Sequence, residues 1–295
     1  MNDLRFALRQ LRQRPGFTAI AVVTLALGIG ATTTIFSVVD HLMLRDLPFA
    51  DADRIVTVWQ NNQRLGIPRE DVAPGNALDW MQRSQVFEAL GAADPNSRDL
   101  TGDGPPEVIQ ASLVTEEYFA ALGVRPIRGR LFVPDDFRVA SGDMGGNVAV
   151  IGYDLWQTRF GGAEDLVGRP LILDGRPVVV VGILPADVDV GLSYSVRKRE
   201  LWLPKILQRW EPQARASAYW TVVGRLKPGV SVAHAEAEMD RVAASLAAEY
   251  PATNAGISAT VVPLREHLVG AARPTLLLLL GAVGLVMVIA CANVA

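Results

Sequence analysis

The stretch FTAIAVVTLALGIGATTTIFSVV, residues 17–39, contains no charged residue. A helix that rises about 1.5 Å per residue over this length spans the roughly 30 Å hydrocarbon core of a bilayer. We therefore predict transmembrane helix 1 over residues 17–39. A cleaved signal peptide is the alternative, but the run exceeds the usual apolar region of a signal peptide and no A-x-A site lies near its end.

The preceding residues 1–16, MNDLRFALRQLRQRPG, predict an amphipathic helix. Leu4, Leu8 and Leu11 fall on one helical face, and Arg5 and Arg9 fall on another, a pattern typical of helices that lie on a membrane surface. Arginines close to a membrane segment mark its cytoplasmic side. The N-terminus is therefore predicted to be cytoplasmic, and the first span exits to the outside.

A second uncharged run, LLLLLGAVGLVMVIACANVA, occupies residues 276–295. We predict transmembrane helix 2 over residues 275–295, entering the membrane from the outside. No basic residue follows the run, and Asn293 is better satisfied against neighbouring helices than against lipid. The expectation is that the chain is a fragment of a longer membrane protein.

Residues 40–274 lie between the two predicted spans and have the pattern of an α/β domain outside the membrane. Alternating strand and helix periodicities give β-α-β twice, which predicts a split β-α-β lobe. The predicted strands cover residues 53–60, 108–114, 219–226 and 257–264, and the predicted helices cover 75–93, 115–123 and 231–250.

The helices of this lobe have predicted ends and predicted core positions. The helix at 75–93 places its apolar residues at helical spacing, and Thr115 and Gly123 are the predicted cap and end of the next helix. Pro251 closes the last one. The predicted core positions are Leu78, Met81, Phe87, Leu90, Val232, Ala235, Met239, Val242, Leu246 and Tyr250.

A β-rich lobe is predicted to be inserted at about residues 125–206. RPLILDGRPVVVVGILP, residues 169–185, predicts a hairpin, because Asp174-Gly175 is a favoured two-residue turn. Residues 147–162 predict a strand and a short helix, capped by Asp154 and ended by Gly161. A further strand is predicted at 200–206.

Composition excludes several functional classes. The net charge of −3 offers no basic face for nucleic acid. Cys291 is the single cysteine, so no internal disulfide and no CxxC site can form. A phosphate loop requires a lysine after a glycine-rich turn, and none of Lys198, Lys205 and Lys227 has that context.

No catalytic, cofactor-binding or metal-binding residues are predicted. His41, His234 and His267 are scattered, and the sequence contains neither H-E-x-x-H nor G-x-S-x-G. Asp135, Asp136 and Asp143 could meet a calcium ion but lack EF-hand spacing, so a solvated loop is the favoured interpretation.

Two further patterns concern packing. Ala26, Gly30 and Thr34 recur at four-residue spacing, which favours close helix packing in a membrane rather than a phosphate loop at GIGATTT. Most tryptophans of the outer domain are predicted to be core, while Trp210 beside Glu211 could be exposed and serve a partner surface. The tryptophans are Trp59, Trp80, Trp156, Trp202, Trp210 and Trp220.

Several of these motifs resemble those of one family. The N-terminal LRFALRQLRQRPGFTAIAVVTLALGIGATTTIFSVVD resembles the start of MacB/FtsX-type ABC transporter permeases, especially the large orphan permeases duplicated in acidobacteria. YFAALGVRPIRGRLF, VAVIGYDLWQTRFGGAEDLVGRPLILDG and GILPADV resemble the MacB-like periplasmic core domain. The last apolar run resembles the opening of the FtsX-like membrane domain, and VGLSYSVRKRE, residues 190–200, fits the pattern only loosely.

The resemblance implies a permease subunit in the bacterial inner membrane that works with a separate cytoplasmic ABC ATPase. It also implies a second permease half or homodimer, membrane lipids and a periplasmic adaptor as partners, with no nucleic acid, no cofactor and no enzymatic activity. Two other classes stay open: a two-span receptor or adhesion protein, and a membrane-anchored envelope enzyme. The transported substrate, the identity of the ATPase and the direction of transport are not indicated.

Overall fold

The computed structural model describes residues 15–39, 47–102, 104–138, 146–186, 188, 198–270 and 273–294. The predicted amphipathic helix (apart from residues 15 and 16), His41 and Asp143 lie outside these ranges. The chain forms two compact units, residues 1–46 with 269–295 and residues 47–268.

The first unit contains two apolar helices, α1 (Pro15–Val39) and α8 (Arg273–Val294), which pack against each other. Ala26, Gly30 and Thr34 are exposed on α1, whereas Gly28 is buried. The packing role of Ala26, Gly30 and Thr34 stays a prediction. Among the described residues, no helix is identified as long and apolar enough to cross a membrane. The two spans stay predictions.

The second unit is an eleven-stranded sheet with helices. Its strands are β1 (Ile55–Asn62), β2 (Ile67–Glu70), β3 (Phe87–Thr101), β4 (Glu107–Val114), β5 (Arg128–Gly129), β6 (Val148–Ile151), β7 (Pro170–Leu173), β8 (Arg176–Ile183), β9 (Leu201–Pro204), β10 (Thr221–Leu226) and β11 (Ile257–Pro263). Its helices are α2 (Pro74–Arg83), α3 (Tyr118–Leu122), α4 (Tyr153–Phe160), α5 (Val232–Glu249), α6 (Pro251–Asn254) and α7 (Leu264–Val269), with 3-10 turns at Ala52–Arg54, Pro134–Phe137 and Glu211–Gln213.

Two split β-α-β units build one part of the sheet; the second has the predicted elements, whereas the first ends in β3 instead of the predicted strand at 108–114. Strand β10 lies antiparallel between β1 and β3, which are connected through α2. Strand β1 lies antiparallel between β10 and β11, which are connected through α5. The resulting order β11-β1-β10-β3 is the ferredoxin-like arrangement of interleaved β-α-β units. We call these four strands, with α2 and α5, the sheet lobe.

The chain between β3 and β10 forms a closed barrel. Its pairings run β3-β4-β9-β6-β8-β7 and return from β7 to β3 through Leu100↔Leu173 and Thr101↔Ile172. The hairpin turn between β7 and β8 is the predicted one, with positive φ at both Asp174 and Gly175. We call these six strands, with α4, the barrel lobe. Strand β3 belongs to both lobes.

Alternation along the strands divides the buried side chains into three cores. The first core lies under α2 and α5 in the sheet lobe and includes Val58, Leu90 and Met239. The second core lies on the other side of the sheet and takes residues from strands of both lobes, among them Val223 and Trp202. The barrel core is built from side chains such as Leu100, Ile109, Leu171 and Leu201.

The predicted helix at residues 75–93 is wrong in its second half. Helix α2 ends at Arg83, with the Ser84 backbone N–H bonded to the Trp80 carbonyl, and β3 begins at Phe87. Phe87 and Leu90 are buried as predicted, but they lie in a strand. Their three-residue spacing fitted a helix, and the pairing of β3 with β10 overrides it.

Two predicted caps are also wrong, although the helix ends were correct. The Thr115 hydroxyl oxygen accepts the Ala92 backbone N–H at 2.8 Å instead of capping α3. Gly152, not Asp154, is the N-cap residue of α4. Gly123 and Gly161 end their helices in the left-handed region, as predicted. The boundaries of the β-rich lobe at about 125–206 stay a prediction; the barrel also uses β4 and the end of β3.

Candidate functional site

The candidate site lies where β3 passes from the sheet lobe into the barrel lobe. Residues of β3 up to Ala93 pair with β10, and residues from Ala93 onward pair with β4. Asp94 follows this change of neighbour, on the same side of the strand as Leu90 and Leu100. Those two side chains belong to different cores. A carboxylate therefore separates the sheet core from the barrel core.

Lys205 and Glu211 complete a buried ionic cluster with Asp94. Lys205 directly follows β9, and its ammonium lies 2.8 Å from Asp94 Oδ2 and 2.6 Å from Glu211 Oε1. The exposed fractions of the three side chains are 1% for Lys205, 9% for Asp94 and 0% for Glu211. Buried charges of this kind are tolerated because they are paired, and removing one partner leaves the other costly. We call Asp94, Lys205 and Glu211 the ionic cluster.

Two groups at the cluster, Asp94 and Tyr219, have raised pKa values. Burial raises the pKa of the Asp94 carboxyl, and the hydrogen bond from Lys205 opposes this shift without cancelling it. Burial, with the nearby Asp94 and Glu211 carboxylates, raises the pKa of Tyr219 to about 12. The Lys205 ammonium also lies 5.4 Å from the ring centroid of Trp220, a favourable cation–π contact.

The segment that carries Glu211 is tied to α2 by a second polar network. Arg215, on the connection between β9 and β10, donates to Asn76 Oδ1 at 2.8 Å and to the Asp79 carboxylate. Its guanidinium stacks on the Tyr250 ring at 3.7 Å. Asn254 donates to the same Asn76 oxygen at 2.8 Å. The segment between β9 and β10 is therefore bound to the barrel lobe through Glu211 and to α2 through Arg215.

An open groove of about 570 Å³ borders the cluster. Lys205 lines it together with apolar side chains of α2 and of the start of β3, including Met81 and Phe87. Glu116 and Glu117 are exposed at its edge. The apolar side chains of the groove can contact an apolar group, and the two glutamates place negative charge at its edge. The residues that line the groove do not include a nucleophile paired with a base.

The histidines, loop aspartates and cysteine considered in the sequence lie apart from one another in the structure. His234 is exposed, and His267 stacks against Trp59 with ring centroids 5.1 Å apart. Asp135 pairs with Arg138, whereas Asp136 pairs with Arg130. Among the described residues, no group of three or more His, Cys, Asp or Glu side chains is placed to hold a metal ion. Cys291 is exposed on α8.

The predicted burial of the tryptophans is confirmed, and a partner surface at Trp210 stays a prediction. Trp210 is 52% exposed, and the other five are buried: Trp59, Trp80, Trp156, Trp202 and Trp220.

Sequence reasoning missed the ionic cluster. One signal was present, because Lys205 interrupts the apolar segment LWLPKIL at a position next to a strand. A lysine in such a run is rarely fully buried unless it is paired. Asp94 could not be identified as its partner from spacing, since it is 111 residues away.

Solved structures that resemble this chain include the following two. One is the periplasmic region of MacB from Actinobacillus actinomycetemcomitans, at 15% identity and a TM-score of 0.51, covering 72% of this chain and 90% of that chain. The other is a domain of a protein assigned as a permease from Porphyromonas gingivalis, at 18% identity and a TM-score of 0.53, covering 73% and 92%. At these identities the likeness shows the fold alone. No curated protein sequence matches the chain.

The fold therefore defines a mixed α/β domain of the periplasmic type found in ABC transporter permeases. The chain belongs to the MacB-like periplasmic core domain family, whose model matches residues 18–242. The resemblance noted in the sequence is confirmed at this level.

Proposed function

We propose that the chain is a permease subunit of an ABC-type transporter or mechanotransmission complex. The observation that carries this proposal is the family match over residues 18–242, which runs from the first apolar helix into α5. In this proposal a separate cytoplasmic ATPase supplies the work, and the periplasmic domain uses it for export or envelope remodelling. A second permease half or a second copy, lipids and a periplasmic adaptor complete the assembly.

The proposed topology follows from the apolar segments and the N-terminal arginines. Residues 1–16 are cytoplasmic, residues 17–39 and 275–295 cross the inner membrane, and residues 40–274 are periplasmic. The uncharged length of residues 17–39 supports the first span, at about 1.5 Å of rise per residue. The absence of charge in residues 276–295 supports the second.

Two features of the domain support a mechanical role. Strand β3 runs without interruption from the sheet lobe into the barrel lobe, so displacement of one lobe is transmitted through main-chain hydrogen bonds. The second core takes side chains from strands of both lobes and adds apolar contact across the junction. Close-packed interiors transmit strain because they have low compressibility.

Cysteine labelling tests the topology. In a Cys291→Ser background, Asn2→Cys and Asp165→Cys are treated in intact spheroplasts with a membrane-impermeant maleimide. Asp165 is exposed on the barrel lobe. The expected result is labelling of Asp165→Cys in intact cells and of Asn2→Cys only after permeabilisation. The reverse pattern contradicts the topology.

Affinity purification tests the ATPase partner. The tagged full chain is isolated from native membranes under mild detergent, and its co-purifying proteins are identified by mass spectrometry. An ABC ATPase enriched over an unrelated tagged membrane protein is the expected result. A preparation that contains the chain without such an ATPase contradicts the proposed coupling.

A further inference from the structure

The groove of about 570 Å³ beside the ionic cluster combines an apolar lining with an acidic edge. Its apolar side chains come from α2, from the start of β3 and from the segment after β9, and they include Met81, Phe87 and Ile206. Glu116 and Glu117 are exposed at the edge, and neither forms an ion pair within the described part of the chain. The groove therefore suits a segment that carries apolar side chains next to positive charge.

The ionic cluster adds negative charge to the same face. Lys205 lines the groove, but its ammonium is shared between Asp94 at 2.8 Å and Glu211 at 2.6 Å. When both acids are ionised, one ammonium faces two carboxylates. Charge complementarity of this kind orients a partner and selects against partners of the wrong sign. A basic occupant is therefore favoured over an acidic or neutral one.

The hairpin between β1 and β2 presents the complementary pattern. Leu65 is 69% exposed, more than any other large apolar side chain described between residues 47 and 268, and Ile67 is 37% exposed. Arg64 is exposed beside Leu65 and forms no ion pair among the described residues. Arg69, on the other side of the pair, is 3.7 Å from Glu266. The tip thus carries two exposed apolar side chains between two arginines.

The hairpin tip is fixed by its own hydrogen bonds. The Leu65 backbone N–H donates to Asn62 Oδ1 at 3.2 Å, and Gly66 has a positive φ of 68°. The Gln63 backbone N–H donates to the Gly256 carbonyl at 2.9 Å, which ties the tip to the turn before β11. A segment held in one conformation loses little entropy when it binds. The tip is therefore ready to insert as a unit.

The hairpin does not occupy the groove of its own chain. Strand β10 lies between β1 and β3, and no hairpin residue lines the groove. Ile127 is a second exposed apolar residue among arginines. There, however, Arg128 is paired with Glu164, and Arg130 is paired with Asp136. The β1–β2 hairpin of another copy is the better match to the groove.

We propose that the groove receives the β1–β2 hairpin of a second copy of this chain. Leu65 and Ile67 lie against its apolar lining, and Arg64 faces Glu116 and Glu117. The inference rests on the second copy included in the proposed function, and it names the surfaces through which the two copies touch. If each copy inserts its hairpin into the other's groove, a two-fold axis relates them and the assembly closes at two copies.

Disulfide cross-linking tests this contact. Two differently tagged full chains, both with Cys291→Ser, are expressed together. One carries Leu65→Cys, and the other carries Ser84→Cys in the lining of the groove. Oxidation in native membranes is expected to link the two tags. Ile127→Cys in place of Leu65→Cys is the matched control, because Ile127 is 45% exposed and lies outside both the hairpin and the groove, and it is expected to give no link.

Each outcome of the cross-linking is decisive. Absence of the Leu65 link, or equal linking from Ile127→Cys, overturns the proposal. If the two tags co-purify without the link, only this contact is wrong, and the second copy in the proposed function stands. If the tags do not co-purify at all, both are wrong.

Charge reversal distinguishes a second copy from another basic partner. Glu116→Arg together with Glu117→Arg, placed in the copy with Ser84→Cys, is expected to lower the linked fraction about fivefold, the effect of losing an exposed ion pair. Arg64→Glu in the copy with Leu65→Cys is expected to restore it. An unchanged linked fraction contradicts the proposal. A loss that Arg64→Glu does not restore means that the groove binds a basic segment of a different protein, and this also overturns the proposal.

Discussion

Lys205 Nζ lies 2.8 Å from Asp94 Oδ2, although the two residues are 111 positions apart in the chain. Asp94 is on the strand shared by both lobes, and Lys205 follows the barrel strand β9. The pair therefore links β9 to the shared strand β3 at the point where the sheet core and the barrel core are separate. This relationship gives the first of four predictions.

Replacing Lys205 by methionine is expected to destabilise the domain strongly. The substitution keeps the length of the side chain but leaves two buried carboxylates without a cation, which costs about 3–5 kcal/mol in comparable cases. Thermal unfolding of the full chain, followed by near-ultraviolet circular dichroism, measures the effect. Lys198→Met is the control, since Lys198 and its partner Asp154 are both about half exposed, and such pairs contribute about 1 kcal/mol or less. Equal melting temperatures for the two variants would contradict the prediction.

A methyl group at Gly91 is expected to separate β3 from α3. A Cβ added there would overlap the backbone of Glu117 and Tyr118, which cannot rotate out of the way. Overpacking of this kind costs about 1–3 kcal/mol. Urea unfolding of Gly91→Ala should show this loss. Gly152→Ala is the comparison, because its Cβ would meet only ordinary contacts from 3.4 Å outward; a larger loss in Gly152→Ala would count against the argument.

Replacing Trp220 by alanine should reduce the stability of the domain, whereas replacing Trp210 should leave it almost unchanged. Trp220 is 1% exposed and lies in the core of the sheet lobe, so Trp220→Ala is expected to cost about 3–5 kcal/mol. Trp210 is exposed, and Trp210→Ala is expected to stay within about 0.5 kcal/mol of the unsubstituted chain. The measurement is the midpoint of chemical unfolding for both variants. If Trp210→Ala costs as much as Trp220→Ala, Trp210 is part of a packed surface and not free for a partner.

The Asp136 carboxylate is expected to stabilise its loop except in acid. Burial opposes ionisation, but hydrogen bonds from Arg130 and from the Val133 backbone N–H outweigh it and lower the pKa of Asp136. A lowered pKa means that the stabilisation is present above the ordinary value of 3.8 and is lost as pH falls through the folded pKa. Hydrogen exchange of residues 130–138 measures it, with Asp136→Asn expected to lose about 1 kcal/mol of local protection at pH 7.

Asp135→Asn is the control for that experiment, because Asp135 and Arg138 are almost fully exposed. Protection of the loop should be unchanged in this variant. If Asp136→Asn and Asp135→Asn lose protection equally, the Arg130 contact does not stabilise the loop.

Local signals predicted much of the fold. The Asp174-Gly175 turn fixed the β7–β8 hairpin because both residues adopt positive φ there. The stripe Ala235, Met239, Val242 and Leu246 is buried on α5 as predicted. In both cases the determining residues are neighbours in sequence, so spacing alone contained the information.

Long-range pairing is what the sequence could not supply. Phe87 and Leu90 also fit helical spacing, so the sequence predicts the end of a helix where β3 begins. Its second half closes the barrel through Leu100 and Leu173, a contact between residues far apart in the chain. The ionic cluster also depends on long-range pairing. In the sequence, Asp94 and Lys205 carry no signal that they are in contact, because strand assembly brings them together.

The distribution of apolar packing around β3 also sets a direction of bending. A layer that is continuous on one side of a sheet resists opening on that side, while an interrupted layer on the other side offers less resistance. Relative rotation of the two lobes is thus restricted to an axis close to the second core. Force applied along the domain would be converted into rotation of one sense, so the outer surface of the barrel would move as a rigid lever rather than deform.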